Sequence, residues 1–263
     1  MATTTGLFPN NTAFITGSSG GVGALLTQSF SDVKLIPLHK DATPHQTQTL
    51  LHLAASTQNI VESNIIYLKE SLELAKKLHV ENIVFFSSMS VYGDQDQENI
   101  DEAQPLNHPN LYGISKYFGE QYLKESPFNI LILRLPAVLT KQTQTYIANL
   151  LNDLQHNREI TLTNHQKVFN NFISVRDIAH FLSHVKIQKK FEILNLASPQ
   201  EPSLYEVVTY LKELSHSTSK ITILNTKKRY YNININKAVV AYNFQPSPYK
   251  ISLKQWWDIR NER

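Results

Sequence analysis

The chain has no cysteine, which excludes disulfides, thiolate catalysis and cysteine–zinc sites. Its ten histidines include no HExxH motif, and no metal site is expected. No apolar run approaches the ~18 residues of a spanning helix, so no membrane segment is expected. The first residues lack a basic region followed by an apolar one, which speaks against a signal peptide and for the cytoplasm. Charge is scarce and nearly balanced: 18% of residues are charged, and the net +3 is too mild to recruit nucleic acid. At 263 residues the chain can bury one large core, or a main domain with a smaller lobe. Glycine is the informative shortage. Only eight occur; five fall at or before Gly23 and none after Gly119.

That concentration lies in the stretch 11–26, NTAFITGSSGGVGALL. The apolar run Ala13, Phe14, Ile15 meets a glycine-rich turn, and helix-compatible residues follow. Strand, glycine turn and helix together present free backbone N–H groups to a pyrophosphate. In that reading Gly17 turns the chain, Gly20 admits a phosphate, and Gly23 lets the helix pack against the strand.

Residues 1–10, with Thr3-Thr4-Thr5 and Pro9, read as a flexible lead. A first helix is expected over about 21–30 and a second strand over 33–38. Pro37 cannot donate to a ladder, which suits a sheet edge. Only residues 41–49 separate that strand from the run at 50–54, too few for a helix and a further strand. The usual third strand is therefore expected to be missing. A helix over 59–79, a strand over 82–86, a polar loop over 94–110, a helix over 111–123 and a strand over 130–133 follow. Alternating strands and helices imply an α/β fold with a doubly wound parallel sheet. Further on, helices are expected over 145–156 and 178–185 and near Lys237, with strands over 159–162, 172–175 and 191–196. Ser203 should cap a helix ending near Leu214, with Glu206 completing a capping box. Residues 1–140 are expected to form mainly the dinucleotide-binding domain. Residues 141–263 should form mainly a small C-terminal α/β lobe, with segments returning to the main sheet.

Ser88, Tyr112 and Lys116 are the candidate catalytic groups. On a helix, Tyr112 and Lys116 are four apart and share a face. An ammonium beside a phenol lowers its pKa, and Ser88 at the end of a neighbouring strand can bond the same oxygen. Such a trio passes a proton to or from a substrate oxygen while a nicotinamide exchanges hydride with the carbon.

These motifs resemble those of the extended short-chain dehydrogenase/reductases of the NAD-dependent epimerase/dehydratase type. The likeness runs from the TGxxGxxG loop through His52-Leu53-Ala54-Ala55, Ser87-Ser88-Met89-Ser90-Val91-Tyr92-Gly93 and Tyr112-Gly113-Ile114-Ser115-Lys116. It continues in Arg134-Leu135-Pro136, Phe172-Ile173-Ser174-Val175-Arg176-Asp177, Asn195-Leu196-Ala197 and Lys237-Ala238. The resemblance implies a Rossmann domain, a nucleotide-sugar substrate, and a homodimer through a four-helix bundle built from 59–79 and 111–123. It implies cofactor contacts from Gly17, Ser19, Gly20, Gly21, Val22, Gly23, Leu53, Ala54, Ala55, Tyr112, Lys116, Leu135 and Pro136.

Departures from the family pattern narrow the activity. Family dehydratases carry an Asp-Glu pair after the catalytic Ser/Thr. Met89 and Ser90 stand there and neither is an acid or base, so dehydration is not expected. The usual Asn and Gly-Pro after the Arg-Leu strand are Ala137 and Leu139-Thr140, and the arginine before the Phe-Ile-Ser-Val strand is Asn170. Met89, Ser90, Ala137 and Asn170 are the expected substrate contacts, with Arg229 or Lys228 as cations for a diphosphate. For the cofactor, the run Leu38-His39-Lys40-Asp41 leaves two readings. His39 and Lys40 suit the 2′-phosphate of NADP, and the segment 32–41 is similar to that of NADPH-dependent 4-keto sugar epimerase-reductases. Asp41 suits the ribose of NAD. The favoured reading is an NADP-linked ketoreductase acting on a nucleotide-linked keto sugar. A 4-epimerase that retains NAD is the alternative, and a non-catalytic dinucleotide sensor is the alternative of a different class.

Overall fold

The computed structural model describes residues 6–56, 60–95, 97–226 and 228–262. Thr3-Thr4-Thr5, Asn59, and Lys227 of the basic run lie outside them. The elements are, in order, β1 (Thr12–Thr16), α1 (Gly21–Ser29), β2 (Lys34–Pro37), β3 (Thr49–His52), α2 (Ile60–Lys77), β4 (Asn82–Ser88) and β5 (Asn99–Ile100). Next come α3 (Leu111–Lys124), β6 (Asn129–Leu135), β7 (Ala137–Leu139), α4 (Tyr146–Gln155), β8 (Ile160–Leu162), β9 (Phe172–Ser174), α5 (Val175–His184) and β10 (Phe191–Asn195). The chain closes with α6 (Leu204–Leu214), β11 (Ile221–Ile223), β12 (Asn232–Ile233), α7 (Asn236–Tyr242) and α8 (Tyr249–Asn261).

Six strands form one parallel sheet in the order β10-β6-β4-β3-β1-β2. Its strands are apolar on both faces, and alternate residues serve different layers. Ala13, Ile15, Leu51, Val84, Phe86, Leu131 and Leu133 pack with Leu26 of α1 and Ile178 and Leu182 of α5. Phe14, Leu50, Ile83, Phe85, Ile130 and Ile132 pack with Leu68 and Leu72 of α2 and Leu123 of α3. The sheet is thus covered on both sides. β2 is its edge, where Pro37 leaves no buried ladder position without a donor. A separate core holds α4, α6 and α8 around Leu151, Val207, Leu211 and Trp256.

Some boundaries differ from expectation for local reasons. Leu7 and Phe8 are buried in the main core, and Thr49 Oγ1 donates to Leu7 O, so residues 6–10 are not a loose lead. α5 begins at Val175 because the Ser174 hydroxyl accepts from Asp177 N and caps it there. The Ser203–Glu206 capping box is present as expected.

Candidate active site

β4 delivers Ser88 to its C-terminal end, where the hydroxyl accepts from Ser90 N at 3.1 Å and starts a short 3-10 turn over Met89–Val91. Ser88 Oγ also donates to Ser90 Oγ. α3 begins beside this turn, capped by Asn110 through Gly113 N. Its spacing aims Tyr112 and Lys116 at the same place. Ser88, Tyr112 and Lys116 line one cleft of about 130 Å³, together with Val22 of α1, Leu53, Leu135 and Pro136. Phe86, Ser87 and Val138 complete its walls; none of them was expected as a site residue, although Ser87 belongs to the motif before the turn.

Lys116 is buried and donates through Nζ to Phe86 O at 2.9 Å. Its ammonium lies 4.9 Å from the Phe85 ring centre and 5.8 Å from that of Tyr112. Burial lowers the Lys116 pKa to about 8, with the Glu120 carboxylate pulling the other way. Burial pushes the Tyr112 phenol up. This differs from the expected lowering by lysine. The phenol is partly buried, and the ammonium, 5.8 Å from the ring centre, has a proton committed to a backbone carbonyl.

A buried polar network lies behind the cleft. Glu120 follows Lys116 by one more helical turn and is fully buried. It accepts from Arg134 Nε at 3.1 Å, Arg134 Nη2 at 2.6 Å and Ser87 Oγ at 2.5 Å. Arg134 lies 4.7 Å over the Tyr92 ring, and Tyr92 Oη donates to Asn195 Oδ1. The network pins α3 to the ends of β4 and β6. The i, i+4 series Tyr112, Lys116, Glu120 was the signal in the sequence that could have revealed it. At the end of β1, Thr16 Oγ1 accepts from Leu53 N and Ala54 N, which leaves its proton for His52 Nδ1 at 3.2 Å. Burial first, and the Lys116 charge second, hold the His52 pKa down at about 3.

The glycine loop fits a phosphate group. Gly17 has φ +72° and lies against the backbone of Ala54, so a side chain there is excluded twice. A Cβ on Gly23 would overlap the Gly17 carbonyl. Gly20 is the N-cap of α1 with no side-chain cap, and the first turn carries no acid. The helix therefore presents uncapped N–H groups beside Ser19, Gly20 and Gly21. Ala55 is exposed just beyond Ala54.

His39 and Lys40 are exposed beyond β2 and line a different, wider cleft of about 800 Å³, shared with Thr16 and with Lys69 and Lys77 of α2. Asp41 is exposed next to them. The expected substrate contacts are not all brought to the cleft. Ser90 is next to Ser88 and Ala137 follows Pro136, but Met89 is buried in the main core. Asn170 is fully buried, and its amide bonds Ser198 O, Ile233 O and Ile233 N. It fastens the β12 segment and has no group left for a substrate. Arg229 is exposed and paired with Asp94 at 3.4 Å. One histidine pair at chelating spacing does exist, His180 and His184 on α5, exposed with ring centres 4.4 Å apart. No carboxylate joins it: no group of three metal-ligating side chains occurs among the described residues.

The sequence model described as the NAD dependent epimerase/dehydratase family matches residues 45–197, more than half of the chain. A Methanocaldococcus jannaschii protein described as a candidate UDP-glucose 4-epimerase is 25% identical over 218 residues, 75% of this chain and 70% of that one. Among solved structures, RMD from Pseudomonas aeruginosa complexed with NADPH aligns at TM-score 0.76 and 20% identity, over 95% of this chain and 99% of that one. The UDP-glucuronic acid 4-epimerase from Bacillus cereus in complex with NAD aligns at TM-score 0.74 and 18% identity, over 95% of this chain and 98% of that one. These likenesses establish the fold.

Proposed function

The chain belongs to the NAD dependent epimerase/dehydratase family, and from that membership we propose that it carries out hydride chemistry at a sugar carbon, on a nucleotide-linked sugar. The observation that carries this reading is the convergence of Ser88, Tyr112 and Lys116 on one cleft, with Val22 of the glycine-loop helix in its wall. Tyr112 exchanges the proton with the substrate oxygen. Its phenol, raised by burial, is protonated at neutral pH and so is set to protonate a keto oxygen. Ser88 orients that oxygen through its hydroxyl. Lys116, anchored on Phe86 O, keeps further N–H groups for a ribose hydroxyl and holds positive charge beside the phenol. A nicotinamide dinucleotide, held by the glycine loop and by Leu53, Leu135 and Pro136, supplies or accepts the hydride when bound. Met89 is buried and Ser90 is not acidic, so no side chain at those positions removes water from the sugar.

Two versions share these steps. Ketoreduction with NADPH is favoured by His39 and Lys40 at an open rim. Epimerisation with retained NAD is favoured by the names of the M. jannaschii relative and the B. cereus structure. Denaturing the purified protein and identifying the released nucleotide separates them: stoichiometric NAD marks the epimerase, an empty site the reductase. Screening nucleotide sugars with both coenzymes then tests the reading itself. No turnover of any of them would refute it.

A further inference from the structure

Leu139, the last residue of β7, and Thr140, in the turn after it, depart from the family pattern, and that turn lies against the start of α1. A Cβ placed on Gly21, the first residue of α1, would stand 2.5 Å from Gln142 Oε1 and 3.2 Å from Thr140 Oγ1. Gln142 is exposed, and its amide has no hydrogen-bond partner among the described residues. It hangs over the uncapped N-terminus of α1, the place where the glycine loop would receive a pyrophosphate.

The mounting of this side chain is firm. Thr140 is buried, and its N–H donates to Thr143 Oγ1 at 2.7 Å, while Thr143 Oγ1 donates to Val138 O. The last helix holds the turn from behind: Trp256 Nε1 donates to Thr140 O at 2.9 Å, and Arg260 Nη1 to Lys141 O at 3.2 Å. Lys141 Nζ donates to Glu262 O in return. A free amide on a fixed turn, with its Oε1 close to the first residue of α1, can add a donor to an anion seated at that helix end. Half a turn of the amide presents Nε2–H there, at the cost of fixing one glutamine side chain.

We propose that Gln142 binds a pyrophosphate oxygen of the nicotinamide dinucleotide, with the Thr140–Thr143 turn and α8 as its mounting. The proposal rests on the dinucleotide reading above. It assigns the α8 side chains Trp256 and Arg260 a part in cofactor affinity, although they reach the glycine loop only through this turn.

The test is the dissociation constants of NADH, NADPH and ADP-ribose, measured calorimetrically on the full chain for wild type, Gln142→Ala and Gln142→Glu. All three ligands carry the pyrophosphate. Gln142→Ala should weaken all three by about threefold to tenfold, as expected for one exposed charge-assisted bond. Gln142→Glu should weaken them by more than about tenfold, and added salt should shrink that excess. Because Gln142 is exposed, both variants should melt at the wild-type temperature without ligand. Unchanged affinity in both variants, or a change confined to NADPH, overturns the proposal while leaving the dinucleotide reading intact. A wild type that binds none of the three overturns the dinucleotide reading itself.

Discussion

At the scale of single residues, the site depends on groups whose ordinary chemistry is altered by burial. His52 is the sharpest case. Its pKa is about 3 in the folded chain against 6.5 when exposed, so only the unfolded chain takes up its proton between those values. Its contribution to stability is therefore complete above pH 6.5 and is lost as pH falls toward 3. Between pH 6.5 and 5 the loss should be about 2 kcal/mol, at roughly 1.4 kcal/mol per pH unit. Urea unfolding at pH 7 and pH 5 checks this: His52→Asn should be less stable than wild type at pH 7 but lose less on acidification. An identical pH slope in the two proteins would contradict it. That Tyr112 and Lys116 share one cleft was legible in the sequence because their spacing is set by the helix period. Asn170 and Met89 were not. A sequence shows that an amide or thioether stands at a substrate position, but not that nearby carbonyls or core side chains have already claimed it.

At the scale of elements, the proposed coenzyme preference rests on β2 and the segment after it. The edge was readable because proline cannot serve a central strand. Beyond that edge His39 and Lys40 are exposed, in a cleft where Lys69 and Lys77 add positive charge and Glu70 and Glu73 offset it. An exposed cation on a 2′-phosphate contributes at the low end of charge-assisted bonds, about 1.5 kcal/mol. NADPH should therefore bind about tenfold more tightly than NADH. Lys40→Ala should erase most of that preference and leave NADH affinity unchanged, and raised salt should act in the same direction. Tighter binding of NADH by the wild type would point to Asp41 as a ribose ligand instead. α8 was not foreseen. Only three of its thirteen residues are buried, Ser252, Leu253 and Trp256, too sparse a stripe to reveal a helix by periodicity. Its importance comes from contacts to a turn more than a hundred residues earlier in the chain.

At the scale of the whole molecule, α2 and α3 pack side by side and expose Ile66, Tyr67, Phe118 and Tyr122, each nearly half accessible. Such an apolar face on two adjacent helices suits a second copy of the chain. Light scattering should give the mass of a dimer for the wild type and of a monomer for Phe118→Asp, at an unchanged content of secondary structure. A monomeric wild type would rule the bundle out. Dimer or not, the proposed chemistry turns on one cleft and one proton. Dinucleotide affinity and turnover of a nucleotide sugar, measured side by side for wild type and Tyr112→Phe, test it most directly. The dissociation constants should lie within about threefold of each other, because the glycine loop is untouched. Turnover should fall by about a hundredfold to ten-thousandfold, the usual contribution of a positioned proton donor. A Tyr112→Phe protein that turns over as fast as the wild type would contradict it.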